Sequence, residues 1–422
     1  MLEIPLVAIC LLAFWHHSPP IRDQWVWLLL GAIPFFAYRL IRYRRLWTWT
    51  PIDIFSIAFI ILSIINFNLA PYHRQDYWVL LSRPLSGMWL YIVCVEQARQ
   101  SRQIMGFWWI SAGLSLVLGI IALGSSDWTS KSQLLLPIIE HLPIIDTRQF
   151  MPDMLLKFNV NEIAGAMVWL IPISLGMAYS LLYKSLRITA SIGSILILIA
   201  LILGQSRFAL IGIIIGMSLF ILLARRKRSH LIYGFLLIGL LITLEASLVF
   251  NVFPSPTTST EQGINDRDEN SLTGRLDIWD RALQMIRDYP LTGVGMSMYR
   301  TAVRTETYII PRYIKRNNHP PHAHNILLQA GADLGLGGIL ILGGWLASSG
   351  WMLYQAYHKL QGKPEQLMTL AVASALLAFF IFGMGDAITL WDRFQFLFWW
   401  VLGLVGALYT HAKLIEHKIL KT

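Results

Sequence analysis

The chain has 422 residues, of which 55% are hydrophobic and 14% charged, against roughly a quarter charged in an ordinary soluble domain. This balance excludes a water-soluble globule. The formal net charge of +10 would be compatible with a nucleic-acid partner in a soluble protein, but membrane proteins also accumulate Lys and Arg in cytoplasmic loops. The two cysteines, Cys10 and Cys94, lie in apolar runs, which excludes a disulfide framework or a cysteine-based zinc site.

Apolar segments of about 20 residues, the length that crosses a bilayer as a helix, recur along almost the whole sequence. They predict an all-α polytopic membrane protein with about twelve transmembrane helices. The first segment is the least secure because its apolar part is short, but its flanks favour a span over a removable signal peptide. The predicted spans are 3–16, 24–41, 52–70, 77–95, 105–124, 162–183, 188–204, 206–223, 231–251, 333–357, 366–388 and 393–411.

Connections rich in Lys and Arg alternate along the chain, and the positive-inside rule places them in the cytoplasm. Both termini are therefore predicted to be cytoplasmic, and the long loops 125–161 and 252–322 face outward, to the periplasm or its equivalent. The chain divides into transmembrane helices 1–9 (1–251), a large outer loop (252–332) that is the candidate catalytic loop, and helices 10–12 with a short cytoplasmic tail (333–422).

Two arginines are predicted at the outer membrane boundary. Arg207 lies in a very short turn between the seventh and eighth spans, where an arginine is costly unless it reaches lipid headgroups or binds an anion. Arg83, inside the outer end of the fourth span, is a similar case. Asp386 flanks the last outer turn, where it could pair with Arg83 or with Arg393.

The large outer loop is predicted to contain an amphipathic helix on the membrane face. Leu276, Trp279, Leu283 and Ile286 recur at helical spacing. Arg275 lies four residues before Trp279 and therefore on the same face. The alternative is that this arginine is solvated or contacts lipid headgroups.

Three histidines, His319, His322 and His324, follow the loop where an apolar helix begins. A His-x-His pair is a known metal-ligand spacing, but no cysteine and few acidic residues lie nearby in the sequence, and we expect no metal. A helical conformation would turn His322 and His324 in different directions. One histidine near a helix start suits a general base, and the alternative is a residue that caps or anchors the helix.

Two arginines and one histidine on one membrane face suit glycosyl transfer from a lipid diphosphate. Guanidinium groups match phosphate oxygens bidentately, so Arg207 and Arg275 could hold a diphosphate without a metal ion. A sugar on that diphosphate is already activated, and the remaining task is to deprotonate an incoming hydroxyl, which a positioned His324 can perform.

Three motifs resemble those of the bacterial O-antigen ligase and O-antigen polymerase superfamily. Ser206-Arg207 is similar to the family's first essential arginine. Gly274 to Trp279, followed by Pro290 to Gly295, resembles its G-R-x-x-x-W and P-L-x-G-x-G run. His324-Asn325, nine residues and then Gly335 to Gly338 resemble the ligase signature H-[NSQ]-x9-G-x-x-G.

The resemblance implies an inverting, metal-independent glycosyltransferase without a cofactor and with a GT-C-like membrane fold, in the inner membrane of a bacterium. It implies that Arg207 and Arg275 bind the diphosphate of an undecaprenyl-linked glycan. His324 would be the general base on the hydroxyl of a glycan or lipid A-core acceptor, in lipopolysaccharide or other surface polysaccharide biosynthesis. Nucleic acid is not an expected partner.

Further residues are secondary candidates for the site: Arg83, Trp279, His322, Asn325 and Asn161, which lies at the outer start of the sixth span and could instead serve helix packing. Many ligases continue the last motif with two threonines, where this chain has Ile339 and Leu340. The branch, ligase or polymerase, therefore stays open.

A transporter of a small solute is the alternative function, because the number of spans would suit one. Transporters place ionisable residues and broken helices near the bilayer midplane. Here the middle of each predicted span is overwhelmingly apolar and the polar residues are concentrated in one outer loop, which favours the transferase.

Overall fold

The computed structural model describes residues 24–72, 77–101, 104–125, 160–180, 183–204, 206–224, 272–310, 319–387 and 394–419, and these residues form α-helices without a β-strand. The helices are α1 Gln24–Tyr43, α2 Pro51–Leu69, α3 Tyr77–Ser101, α4 Met105–Ser125, α5 Val160–Tyr179, α6 Lys184–Gly204, α7 Arg207–Leu223, α8 Leu272–Asp288, α9 Tyr299–Ala302, α10 Ile326–Lys359, α11 Pro364–Gly383 and α12 Gln395–Ile419.

Helices occupy ten of the twelve predicted spans. Seven helices of the described part, α2, α4, α5, α6, α10, α11 and α12, are long and apolar enough to cross a membrane, and α7 is a shorter apolar helix. The prediction of an all-α polytopic membrane protein is therefore confirmed in this coarse form. The predicted spans 3–16 and 231–251 lie outside the described residues, and the total of twelve and the GT-C-like arrangement stay predictions.

Small residues allow close contact between α7 and α11. A Cβ atom added to Gly212 would lie 2.4 Å from the carbonyl oxygen of Ala378, and one added to Gly216 would lie 2.5 Å from that of Ser374. Such glycine contacts let helix backbones approach each other where lipid gives no hydrophobic driving force for association. Nearby, the rings of Trp169 on α5 and Phe379 on α11 are stacked with centroids 3.9 Å apart.

The large loop has a buried core of its own, separate from that of the transmembrane helices. The predicted helix is confirmed as α8, and its position on the membrane face stays a prediction. Ile278, Ala282 and Met285 are fully buried, whereas Leu276 and Leu283 are 51% and 40% exposed. The helix α8 packs against the rest of the loop and against α10. These contacts, and not the apolar pattern alone, decide which of its side chains are buried.

α10 begins at Ile326, before the predicted span 333–357. Asn325 caps the helix, since its side-chain oxygen accepts hydrogen bonds from the amides of Leu327 and Leu328 at 3.0 and 3.1 Å. The helix is interrupted at Gly335, whose φ of 68° and ψ of −164° are not helical. This conformation is accessible essentially to glycine alone, so the first turns of α10 form a separate segment in front of the break.

Candidate active site

The loop turn between Pro290 and Gly295 fills the break in α10. The amide of Leu336 donates to the carbonyl oxygen of Pro290 at 2.8 Å, and the amides of Val294 and Gly295 donate to the carbonyl oxygens of Ala332 and Asp333 at 2.7 and 3.2 Å. The backbone groups released by the break are thereby paired again, as buried groups must be. The second and third sequence motifs therefore form one interlocked unit.

Asn66, the buried polar residue near the end of α2, fastens this unit to the transmembrane helices. Its amide nitrogen donates to the carbonyl oxygens of Thr292 and Asp333 at 2.6 and 3.2 Å. Its side-chain oxygen accepts from the amide of Met296 at 2.9 Å. The loop is thus held rigidly at one end of the helical bundle.

Arg207 begins α7 and is exposed. The next residue, Phe208, packs against Gly385 in the turn after α11, where a Cβ atom would lie 2.2 Å from the phenyl ring. The guanidinium carbon of Arg275 on α8 lies 4.9 Å from the centroid of the same ring, within the range of a cation–π contact. Phe208 therefore brings the two predicted arginines to one place.

Arg275 is half-buried, and its Nε is buried without a hydrogen-bond partner among the described residues. Burial lowers the pKa of Arg275, the charge of Arg207 lowers it further, and Asp386 raises it. An arginine retains its proton in proteins. Arg275 and Arg207 thus place two positive charges near each other, and Nε of Arg275 is a hydrogen-bond donor without a partner among the described residues. Such a site is suited to bind an anion.

His324 precedes α10 with a φ of 47°, an uncommon conformation outside glycine in which histidine is enriched. Its Nδ1 lies 3.1 Å from Oδ1 of Asp386, and both side chains are almost completely buried. The other ring nitrogen, Nε2, is buried and lacks a hydrogen-bond partner in the described part of the chain. Nδ1 of His324 is thus held by the Asp386 carboxylate, while Nε2 has no partner in the described residues and could bind a substrate group.

His322 lies beside this pair. Its ring centroid is 4.2 Å from that of His324, and its Nδ1 is 3.9 Å from Oδ1 of Asp386. A helix would have turned the two histidines in different directions, but both residues precede the helix start and their rings lie together.

The charges of this cluster stabilise a neutral His322 and an ionised Asp386. Burial lowers the pKa of His322 to about 3, His324 and Arg275 lower it as well, and Asp386 opposes them. Burial would raise the pKa of Asp386, but the hydrogen bonds that it accepts from His324 and from the Ala387 amide hold this pKa well below the usual range. Asp386 is therefore a carboxylate that accepts from His324.

His322, His324 and Asp386 also form a group that could hold a metal ion, with one ligand atom from each lying within 4.8 Å of the others. Two imidazoles and one carboxylate are suitable ligands for several divalent transition metals. The same distances are those of a histidine oriented by a carboxylate, so the geometry alone does not require a metal. The expectation of metal independence stays a prediction.

The secondary candidates occupy different parts of the fold. Trp279 lies one turn beyond Arg275 on α8, half-buried against the loop core. Asn325 caps α10 and donates to the carbonyl oxygen of Met384 at 3.2 Å, which fixes the helix start to the end of α11. Arg83 on α3 and Asn161 on α5 are half-buried, and their roles stay predictions.

Sequence reasoning did not identify the role of Asp386. The sequence offered Arg83 or Arg393 as a partner of Asp386; Arg393 lies outside the described residues, and the structure shows His324 as a partner. Sequence reasoning also overlooked three buried polar residues, Asn66, Gln329 and Asp333. The available signal was the presence of an aspartate and a glutamine in an apolar helix, because polar residues in a membrane are expensive and indicate function or pairing.

The apolar helices and the arginine, histidine and aspartate cluster define a multi-pass membrane protein with a polar site at one end of its bundle. Residues 192–343 match the family model described as O-antigen ligase (Wzy_C). The match includes both arginines, His324 and the break in α10, and it supports the resemblance to the O-antigen ligase and polymerase superfamily on which the motifs agree. A search of curated proteins finds no significant match.

The family supports a ligase or polymerase role, that is, a glycosyl-transferring enzyme that uses a lipid-linked glycan and an acceptor at a membrane. The site is compatible with this chemistry. It combines a cationic patch for an anionic leaving group with a histidine whose free nitrogen can take a proton.

Proposed function

We propose that the protein transfers a glycan from undecaprenyl diphosphate to the hydroxyl of an acceptor, with inversion at the anomeric carbon. The observation that carries the proposal is the arrangement of His324, with Nδ1 on Asp386 and Nε2 without a partner among the described residues. Arg275, whose pKa is influenced by both Asp386 and Arg207, adds the positive charge that a diphosphate needs.

His324 is the general base in this proposal. An ionised carboxylate only accepts hydrogen bonds, so Nδ1 carries the proton that is donated to Asp386. Nε2 then has a free lone pair and takes the proton of the acceptor hydroxyl as its oxygen attacks the anomeric carbon. A positioned base of this kind contributes roughly 10²- to 10⁴-fold in rate.

Arg207 and Arg275 stabilise the leaving group. As the new bond forms, the bond from the anomeric carbon to the diphosphate oxygen breaks on the opposite face, and both electrons stay with undecaprenyl diphosphate. Fixed positive charges aimed at that developing charge lower the barrier. They replace the metal ion that many diphosphate sites use, so that the proposal includes no cofactor.

The topology proposed from the sequence fits this chemistry. Both termini lie in the cytoplasm and the site faces outward, at the outer surface of the bacterial inner membrane. Residues 252–332 are the catalytic loop, and the acceptor is a growing glycan or a lipid A core. The clustering of Arg207, Arg275 and His324 at one end of the bundle supports this assignment.

The decisive experiment is glycan transfer by the purified protein in nanodiscs. Protein supplied with an undecaprenyl-diphosphate glycan and a hydroxyl acceptor should release undecaprenyl diphosphate and form the elongated acceptor, and Arg275→Ala and His324→Ala should abolish product. Normal activity of both variants would refute the site assignment. Uptake of a solute into proteoliposomes without a lipid-linked sugar would instead support the transporter.

A deletion strain separates the two branches of the family. Loss of long surface polymer, with single repeat units accumulating on the lipid carrier, would indicate a polymerase. Long polymer that remains on the carrier would indicate a ligase.

A further inference from the structure

A chain of buried hydrogen bonds connects the segment that carries His324 to the helix that carries Arg275. The amide of Ala323, the residue before His324, donates to Oε1 of Gln329 at 2.7 Å. Nε2 of Gln329 donates to Oδ2 of Asp333 at 2.7 Å. These three residues are at most 5% exposed, so water does not replace these contacts.

The second half of the chain runs from Asp333 to α8. The other carboxylate oxygen of Asp333, Oδ1, accepts from the amide of Tyr299 at 3.1 Å. The Tyr299 hydroxyl donates to the carbonyl oxygen of Ile278 on α8 at 3.2 Å, and Ile278 lies three residues beyond Arg275 on the same helix. Asp333 is thus the central member of this hydrogen-bond chain. One arm of the chain runs through Gln329 to the residue before His324, and the other arm runs through Tyr299 to the helix that carries Arg275.

We propose that Asp333 is a positioning residue, which sets the position of His324 relative to Arg275 through these two arms. This inference rests on the proposed function, in which both residues act on one substrate. A base and a charge that act on opposite sides of one anomeric carbon must be held at a fixed separation, since a misplacement of about 1 Å can cost about 10²-fold in rate. In this proposal Asp333 acts on both residues through the backbone, at Ala323 and at Ile278.

The direction of the hydrogen bonds makes the proposal testable. Gln329 must present its oxygen to the Ala323 amide, so its nitrogen faces Asp333, and both oxygens of Asp333 face donors. Asp333→Asn leaves one acceptor for two donors, and one arm must break. Gln329→Glu alone places two carboxylates against each other.

The double variant Asp333→Asn with Gln329→Glu restores the pairing of each donor with an acceptor. The negative charge then lies at residue 329 instead of residue 333. Glu at 329 accepts from the Ala323 amide and from the new amide nitrogen at 333, and the amide oxygen at 333 accepts from the Tyr299 amide. A residue pair that acts as one unit shows such non-additivity. We expect Asp333→Asn and Gln329→Glu each to lower kcat by about 10²-fold, and the double variant to return within about 3-fold of the wild type.

The proposed experiment measures transfer by the full-length variants in nanodiscs. In Asp333→Asn, kcat should fall while KM for the lipid-linked donor stays within about 3-fold, because both arginines remain. Asp280→Asn, an exposed residue on α8 with a side chain 66% exposed, is the matched control and should retain wild-type kcat. Equal kcat in Asp333→Asn and the wild type would overturn the proposal.

Hydrogen exchange provides a second measurement that does not depend on activity. The peptide that contains Ala323 and His324 should exchange faster in Asp333→Asn and return to wild-type protection in the double variant, while peptides of α5 and α12 are unchanged. A double variant that is folded by this criterion but no better in kcat than the single variants would also overturn the proposal.

Tyr299→Phe tests the arm to α8 with a variant that keeps the buried ring. It removes the bond to Ile278 and should lower kcat by about 3- to 10-fold, the value of one ordinary hydrogen bond, without changing exchange at Ala323. Unchanged kcat would refute this arm. Activity of His324→Ala would refute the proposed function and this inference together, whereas an inactive His324→Ala beside a fully active Asp333→Asn would refute the inference alone.

Discussion

Asp386 and His324 are 62 residues apart in the sequence, yet Oδ1 of the one lies 3.1 Å from Nδ1 of the other. The turn after α11 carries the carboxylate and the turn before α10 carries the imidazole, and the Asn325 side chain joins these turns through Met384. The pair resembles the base and orienting carboxylate of hydrolytic triads in its geometry. With Asp386 ionised, the pair gives His324, the proposed base, the tautomer that is protonated at Nδ1.

Asp386→Asn should lower kcat by about 10²-fold or more. An amide oxygen can still accept from Nδ1, so the ring stays in place, but the charge that favours a protonated imidazole during the transfer is lost. The measurement is single-turnover transfer at saturating donor, together with hydrogen exchange of the 319–326 segment to show that the turn is intact. A rate equal to the wild type would show that Asp386 does not assist the base.

Arg275→Lys should retain more activity than Arg275→Ala but less than the wild type. Lysine keeps the charge and loses the planar fork that matches two phosphate oxygens, whereas alanine loses both and should lower kcat/KM by about 10²- to 10³-fold. Arg207→Ala should behave in the same way. Arg287→Ala, an exposed arginine near the other end of α8, is the matched control, and a loss of similar size there would indicate a nonspecific charge effect.

The sequence was sufficient for the helices of the described residues and for three candidate site residues that the structure places near one another, because each signal is local. Apolar length predicts spans, and motifs around Arg207, Arg275 and His324 predict the site. The structure adds what depends on contacts between distant segments, such as the partner of His324 and the buried face of α8.

The break in α10 shows why the remainder could not be predicted. Glycines occur at 331, 335, 337 and 338, and composition does not show which of them leaves the helix. The choice of Gly335 depends on Pro290, whose carbonyl oxygen accepts from Leu336 across the break. The polar residues before the break also concealed the helix start, because Gln329 and Asp333 interrupt the apolar pattern and their partners Ala323 and Tyr299 are not evident from the sequence.

Gly335→Ala should destabilise the protein strongly. A Cβ atom there would lie 2.5 Å from the carbonyl oxygen of Pro290 and 2.8 Å from the carbonyl carbon of Leu291, in addition to about 1–3 kcal/mol of backbone strain for a non-glycine residue in this conformation. We expect a lower Tm of the detergent-solubilised protein. Gly343→Ala, in the same helix with nothing within 4 Å, should match or exceed the wild type, and equal Tm values for the two variants would contradict the role of the break.

Chelation should leave transfer unaffected, because in the proposed function two arginines provide the positive charge for the diphosphate. Added Zn²⁺ should inhibit, since it can occupy His322, His324 and Asp386 and withdraw the base. The test is the transfer rate after treatment with EDTA and then with Zn²⁺ in excess. A rate that falls on chelation and returns with a divalent metal would show that the cluster is a metal centre and would contradict metal independence.

Acidification should destabilise the protein partly through His322. Its pKa is lowered from 6.5 to about 3 in the folded state by burial and by neighbouring His324 and Arg275, against the opposing effect of Asp386. Between these values the unfolded chain binds a proton that the folded chain does not, so stability falls as pH decreases from 6.5 toward 3. The pKa of Asp386 is lowered from its ordinary 3.8, so the stability that it contributes is lost only below that value.

His322→Gln removes this dependence and should flatten the decrease of Tm between pH 7 and pH 5. His319, whose pKa is also lowered by burial and by Arg304, acts in the same direction and remains in both proteins, so the difference between wild type and variant isolates His322. His358→Gln, near the opposite end of α10, is the matched control and should follow the wild type. Parallel Tm curves for His322→Gln and the wild type would show that His322 is protonated to the same extent in the folded and unfolded states, and that the cluster does not hold it neutral.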